Sequence, residues 1–238
     1  MSVFVLVHGA YHGAWCYNKV VPFLEAQGHK AVAVDLPGHG DNIVPRERIT
    51  LANYVRHVCE IVDAQDEPVI LIGHSMGGLT ISQVSEDRAD KVRMAVFLTA
   101  LMPLDGESRN DVSKRVNEEA RIAEARIATE DGLANTCSEH LLKGLFYNDC
   151  SDADIEFAKA NLVPQAFEPM GQPLHLSAEN YGRVPRVFIE CLQDGALSIR
   201  MQRAMYTAAK VDRVVTMDTS HSPFFSAPEA LAGHLMAL

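Results

Sequence analysis

The sequence predicts an α/β fold in which helices cover both faces of a six-stranded, mostly parallel sheet, and three observations support this. Short apolar runs without alternation recur along the chain, which is typical of strands buried on both faces. Segments with helical spacing of apolar residues separate these runs. The length of 238 residues suits one domain with its own core.

The elements follow from the chain in order. Six apolar runs predict strands at residues 3–7, 31–34, 69–72, 94–98, 186–190 and 214–217. Apolar spacing predicts helices at about 15–27, 51–62, 75–89 and 198–209. Thr50 is suited to cap the second helix, and Pro228 to begin a final one.

The pattern breaks between residues 103 and 185, a stretch too long for a plain loop. Residues 108–130 are charge-rich, and the spacing of Lys114 and Arg115 to Glu118 and Glu119 favours a helix. We therefore expect a core of residues 1–102 and 186–238, with residues 103–185 inserted after the fourth strand as a helical cap over the carboxyl ends of the strands. Apolar residues of the cap should cover a substrate pocket at that edge of the sheet, namely Leu141, Leu145, Phe146 and Phe167.

Charge and cysteine content limit the possible partners and compartments. Lys and Arg number 21 against 31 Asp and Glu, a net charge of −10, so phosphate backbones and anionic membranes should repel the chain. Five widely spaced cysteines without a C-x-x-C pair favour reduced thiols and a cytoplasmic location. The start of the chain lacks a basic region of the kind found in signal peptides. We expect no metal, cofactor, nucleic acid or membrane partner.

The strongest motif is Gly73-His74-Ser75-Met76-Gly77, a G-x-S-x-G sequence that directly follows one predicted strand and opens a helix. In that context the serine occupies a sharp turn that exposes its hydroxyl, and side chains at the flanking glycines would clash. Ser75 is therefore the predicted nucleophile.

A serine hydroxyl needs a base, and the base needs an acid to orient it. His221 follows the last predicted strand, and Asp194 follows the strand before it, which is the chain order expected for this motif. Three other carboxylates are weaker candidates for the acid. Glu190 should lie too deep in its strand and Asp218 too near His221, whereas Asp35 should stabilise a turn.

The loop after the first strand, His8-Gly9-Ala10, should supply one oxyanion-binding amide from Ala10, and Met76 should supply the other. We expect the substrate to contact Gly9, Tyr11 and His74 from the core. From the cap, Leu145 and Phe146 are the expected contacts.

These motifs together resemble the α/β-hydrolase superfamily. The segment from Phe4 to Trp15, Gly28-His29, and the run Gly73 to Gly78 resemble the plant methylesterase and hydroxynitrile lyase family and its short bacterial esterase relatives. The resemblance implies an α/β-hydrolase fold, a triad of Ser75, His221 and Asp194, no cofactor, and often a homodimer.

Two positions separate the chemistries of that family. The lyases typically carry Thr in place of Gly9 and Lys in place of Ser222, so the residues present here favour hydrolysis. The predicted function is cleavage of a small, largely apolar carboxylic ester through an acyl-enzyme. Amide or carbamate hydrolysis, a hydroxynitrile lyase and a non-catalytic small-molecule receptor remain open, as do the identities of the acyl and alcohol groups.

Overall fold

A computed structural model describes residues 1–117 and 121–238. In chain order its strands are β1 Val3–Val7, β2 Lys30–Val34, β3 Val69–His74, β4 Val92–Leu98, β5 Arg126–Ala128, β6 Ala134–Cys137, β7 Gln165–Ala166, β8 Arg186–Cys191 and β9 Arg213–Met217. Its α-helices are α1 Val21–Ala26, α2 Leu51–Asp63, α3 Gly77–Asp87, α4 Arg109–Val116, α5 Glu139–Phe146, α6 Asp152–Asn161, α7 Glu168–Gly171, α8 Ile199–Ala209, α9 Pro223–Ser226 and α10 Pro228–Met236.

Six strands form one sheet in the order β2-β1-β3-β4-β8-β9, and every neighbouring pair is parallel. The predicted fold class is confirmed. Because the strands are parallel, the loops that follow β1, β3, β4, β8 and β9 all leave the same edge of the sheet. The predicted site residues of the core lie in those loops, apart from His74, which ends β3.

The apolar runs are continuous because both faces of the sheet are covered. Along β1, Val5 packs into the core on one face, whereas Phe4 and Leu6 pack into the core on the other. Adjacent side chains of a strand point to opposite faces, so a strand between two helical layers must be apolar at every position.

The helix predicted at 15–27 is broken in two. A short 3₁₀ helix covers Ala14–Tyr17, and α1 begins only at Val21. Pro22 occupies the first turn of α1, where its missing N–H costs no hydrogen bond, but a proline in the middle of one longer helix would remove a backbone bond. The predicted cap of α2 is present, because Thr50 Oγ1 accepts a hydrogen bond of 3.1 Å from the Asn53 amide.

The segment between β4 and β8 contains strands as well as the predicted helices. Strands β5, β6 and β7 form an antiparallel sheet, and β5 lies where a helix was expected over 108–130. Of the predicted i,i+4 pairs, the partners Glu118 and Glu119 lie outside the described residues. Arg115 forms an ion pair of 2.6 Å with Glu107.

Within residues 1–117 and 121–238, no helix combines the length and the apolar character needed to cross a membrane. All five cysteines are free thiols, and Cys16, Cys59 and Cys191 are buried.

Candidate active site

Ser75 occupies a sharp turn between β3 and α3. Its φ of +51° lies in the left-handed region, which L-residues adopt at a cost of about 1–3 kcal/mol. A Cβ at Gly73 would lie 2.8 Å from the Gly77 carbonyl oxygen, and one at Gly77 would lie 2.7 Å from the His8 carbonyl oxygen. The two motif glycines are therefore required by the close approach of β3, α3 and the loop after β1.

His221 and Asp194 form a buried pair at the same edge of the sheet. The Nδ1 atom of His221 is 2.6 Å from Oδ2 of Asp194, and both side chains are almost completely excluded from solvent. The hydrogen bond to Asp194 fixes the proton on Nδ1 and leaves Nε2 as the basic nitrogen.

The Asp194 carboxylate accepts further hydrogen bonds. Oδ1 accepts from the amides of Ala196 and Leu197 at 2.7 and 2.8 Å, and Oδ2 accepts from the Thr99 hydroxyl. Thr99 directly follows β4 and has a φ of +36°. The sequence reasoning missed Thr99, although its position at the carboxyl end of a strand could have indicated it.

The alternative acids have other roles. Asp218 is exposed and accepts a hydrogen bond of 2.9 Å from the side chain of Gln193. Glu190 is buried in β8, where it pairs with Arg203. Asp35 accepts the Ala14 amide at 2.6 Å and so stabilises a turn, as expected.

A small cavity of about 30 Å³ lies beside Ser75. Ala10, Tyr11 and Met76 line it from the core. In the hydrogen bonds found for the described residues, the amides of Ala10 and Met76 donate to no protein acceptor. The two predicted oxyanion donors therefore border the same cavity as the nucleophile.

The rest of the cavity wall differs from the expected apolar roof. Leu141 and Phe167 are substantially exposed, and Leu145 and Phe146 are buried away from the cavity. The cavity is instead completed by Leu101, Arg109, Ile122, Arg126, Met170 and Leu197. Two arginines thus face a site for which the sequence predicted apolar contacts.

Of the remaining predicted substrate contacts, one lines the cavity beside Ser75 and the others support the residues around it. Tyr11 lines the cavity. Gly9 does not, but a Cβ there would lie 2.8 Å from Cβ of Ser75, so only glycine fits between the loop and the nucleophile. His74 is fully buried and donates from Nε2 to the His221 carbonyl oxygen at 2.8 Å. Phe146 packs against the His221 ring, with centroids 5.5 Å apart. His74 and Phe146 therefore position His221, and neither lines the cavity.

Buried histidines support the loop that carries Ala10. His12 donates from Nδ1 to the Ala10 carbonyl at 2.7 Å, and His39 donates from Nδ1 to the His12 carbonyl at 2.6 Å. Burial lowers the pKa of His12 and of His39 to about 4, and it lowers the pKa of His8 and of His74 well below the usual value. These rings are neutral at pH 7 and act as fixed hydrogen-bonding groups.

Potential metal ligands do not gather into a group of three or more anywhere in residues 1–117 and 121–238.

A parallel sheet with a serine at a strand–helix turn and a buried Asp–His pair defines a class of fold, and comparison with known proteins identifies it. The model of the alpha/beta hydrolase family matches residues 4–234, so the chain belongs to the alpha/beta hydrolase family. Within that family, the predicted resemblance to plant methylesterases is confirmed.

Two curated relatives and one solved structure illustrate the similarity. Putative methylesterase 11, chloroplastic, of Arabidopsis thaliana is 36% identical over 96% of this chain, which spans only 61% of that relative. Methylesterase 1 of Arabidopsis thaliana is 34% identical, with 99% of this chain and 95% of the relative covered. The crystal structure of polyneuridine aldehyde esterase has a TM-score of 0.90 at 28% identity and covers 100% of this chain and 98% of its own.

Proposed function

We propose that this protein is a serine hydrolase that cleaves a small carboxylic ester through an acyl-enzyme. One observation carries the proposal: Ser75, in a left-handed turn, borders the same cavity as Ala10 and Met76, whose amides have no acceptor among the described residues. A nucleophile beside two fixed donors is the arrangement that acyl transfer requires. The similarity to methylesterases and to an esterase supports the same class of reaction.

In the proposed mechanism, Oγ of Ser75 attacks the ester carbonyl while Nε2 of His221 takes the hydroxyl proton. The carbonyl oxygen becomes an oxyanion and accepts hydrogen bonds from the amides of Ala10 and Met76. Collapse of this intermediate breaks the ester C–O bond, and His221 returns the proton to the leaving alcohol. Water, deprotonated by His221, then attacks the acyl-enzyme. The bond between the acyl carbon and Oγ of Ser75 breaks, His221 returns the proton to Oγ, and the acid is released. Throughout, Asp194 holds the His221 ring and stabilises its positive charge.

Replacement of the nucleophile tests the proposal. Ser75→Ala should fold and lose on the order of 10⁴–10⁶ in kcat for p-nitrophenyl acetate, since the members of a triad act as a unit. A fluorophosphonate probe should label the wild-type protein once and leave the variant unlabelled. If the variant keeps more than a tenth of the wild-type turnover, Ser75 is not the nucleophile.

The alternative reactions have less support. In this structure, a Thr at position 9, the residue that the lyases carry, would place its Cβ 2.8 Å from Cβ of Ser75. Ser222 supplies no cation for a departing cyanide. Amide and carbamate hydrolysis use the same groups as ester hydrolysis. A screen of p-nitrophenyl esters, aryl amides and aryl carbamates separates these substrates, and a receptor would turn over none of them.

Three further expectations belong to this proposal. Residues 103–185 act as the cap over the site, the protein works in the cytoplasm, and it forms a homodimer. Gel filtration with light scattering tests the dimer, and limited proteolysis with and without a covalent phosphonate tests whether the cap closes over an occupied site.

A further inference from the structure

Two arginines line the cavity beside Ser75. Arg109 and Arg126 border the same space as Ala10 and Met76. Arg109 begins α4 and is buried, and Arg126 begins β5 and is half-buried. Both come from the segment where sequence reasoning expected an apolar roof.

Arg126 interacts with the Tyr11 hydroxyl but has no anionic partner among residues 1–117 and 121–238. Its buried Nε atom has no hydrogen-bond acceptor in that part of the chain. Charged groups removed from water are normally paired, because their desolvation is costly. A guanidinium carries five N–H donors in a flat fork that matches a carboxylate.

The polar group beside Arg126 is the Tyr11 hydroxyl, which interacts with the guanidinium and donates to Oδ1 of Asn135. Burial raises the pKa of Tyr11 to about 12, while the charges of Arg126 and Arg109 act in the opposite direction. Tyr11 therefore stays neutral at pH 7 and does not cancel the charge of Arg126. The net charge of the whole chain is −10, so a cation beside Ser75 is opposite in sign to the chain as a whole.

We propose that Arg126, with Arg109 beside it, binds the free carboxylate of the substrate, and that the ester cleaved at Ser75 is a half-ester of a short dicarboxylic acid. This inference rests on the proposed esterase function and names its substrate class. The carboxylate would form a charge-assisted pair with the Arg126 fork and direct the ester carbonyl toward Ser75, once the cavity has widened to admit the half-ester. The released product is then a dicarboxylate.

A matched pair of substrates tests the assignment. Monomethyl glutarate and methyl pentanoate have acyl chains of equal length and differ in the terminal carboxylate. The wild-type protein should prefer the half-ester in kcat/KM. Arg126→Met should lower that preference roughly 10–150-fold, mainly through KM, since it removes one charge-assisted contact. Arg126→Lys should restore part of the preference.

Arg93→Met is the control variant. It removes the same charge from an exposed arginine that contacts the Ser2 hydroxyl on the surface, and the preference should not change. If the wild-type protein hydrolyses methyl pentanoate as well as the half-ester, or if Arg126→Met lowers both activities equally, the carboxylate site is wrong.

A binding measurement separates this proposal from the catalytic one. By calorimetry, glutarate should bind the Ser75→Ala protein, and the added change Arg126→Met should abolish the binding. Hydrolysis of methyl pentanoate without any glutarate binding would overturn the carboxylate site and leave the esterase function standing. Failure to hydrolyse either ester, with no phosphonate labelling of Ser75, would overturn both.

Discussion

At the scale of single residues, the side chain with the most constraints is Asp194. His221 and Thr99 donate to one of its carboxylate oxygens, and the amides of Ala196 and Leu197 donate to the other. Four donors leave the carboxylate one orientation, and through it the His221 ring is held in one tautomer. An acid fixed in this way acts by positioning, so its replacement should affect turnover more than folding.

Asp194→Asn tests this role. The amide places an NH₂ group where either the His221 ring or the two backbone amides need an acceptor, which disfavours the working tautomer. We expect kcat to fall about 10²–10⁴-fold. Asp218→Asn is the matched control, since Asp218 is exposed and bonded to Gln193, and it should keep wild-type turnover within about twofold. Steady-state kinetics with p-nitrophenyl acetate decide the matter, and the reverse order of the two losses would assign the acid to the loop after β9.

At the scale of elements, the turn from β3 into α3 depends on glycines, because a side chain there would clash with neighbouring backbone. A Cβ at Gly78 would lie 2.0 Å from the backbone oxygen of Leu101, in the segment that follows β4. Helix α3 thus packs against the segment after β4 with no room for a side chain at Gly78. Leu101 also donates its amide to the Ser75 carbonyl at 2.9 Å.

Gly78→Ala should therefore destabilise the protein although alanine favours a helix. The helical gain is about 1 kcal/mol, whereas forcing a methyl group into packed backbone costs about 1–3 kcal/mol or more. Gly144→Ala in α5 is the control, because nothing lies within 4 Å of its added Cβ, and it should be neutral or stabilising. Urea unfolding measures both; equal effects would show that α3 can shift away from Leu101.

Sequence reasoning worked where one strong local signal decides the structure. The runs at 3–7 and 69–72 are buried on two faces, so pattern suffices for these strands. Chain order after the strand ends predicted the contact between His221 and Asp194, whereas the catalytic roles of Ser75, His221 and Asp194 stay predictions. Sequence reasoning failed for β7, a two-residue strand that exists only because it pairs with β6. It also missed Arg126, because β5 depends on contacts distant in sequence.

At the scale of the whole molecule, the buried histidines link stability to pH. In the unfolded chain each histidine has a pKa of about 6.5. In the folded protein, burial lowers the pKa of His12 and of His39 to about 4. Above pH 6.5 both states are neutral and stability is complete. Between about 6.5 and 4 only the unfolded state gains protons, so stability falls by about 1.4 kcal/mol per pH unit for each such histidine and then levels off.

The free energy of unfolding, measured in urea from pH 7 to pH 4, should therefore decrease as the pH falls. His39→Gln should make that decrease shallower by about one proton, since glutamine does not titrate. The variant is also expected to be less stable at pH 7, where its contacts with His12 and Tyr54 change. An unchanged slope would mean that His39 is not held neutral in the folded protein.

The small cavity has one more consequence, which concerns timing. A volume of about 30 Å³ is roughly a tenth of the smallest pockets that hold small molecules, so the residues that line the cavity must move before an ester can bind. The loop that carries Ala10 is bonded to the segment between β4 and β8, because the Val163 amide donates to the Tyr11 carbonyl at 3.0 Å and the Tyr147 hydroxyl to Nε2 of His12 at 2.7 Å. A movement of that segment that widens the cavity would therefore also move the loop that supplies one oxyanion donor. Turnover should follow the rate of closing and reopening, and it should slow as solvent viscosity rises.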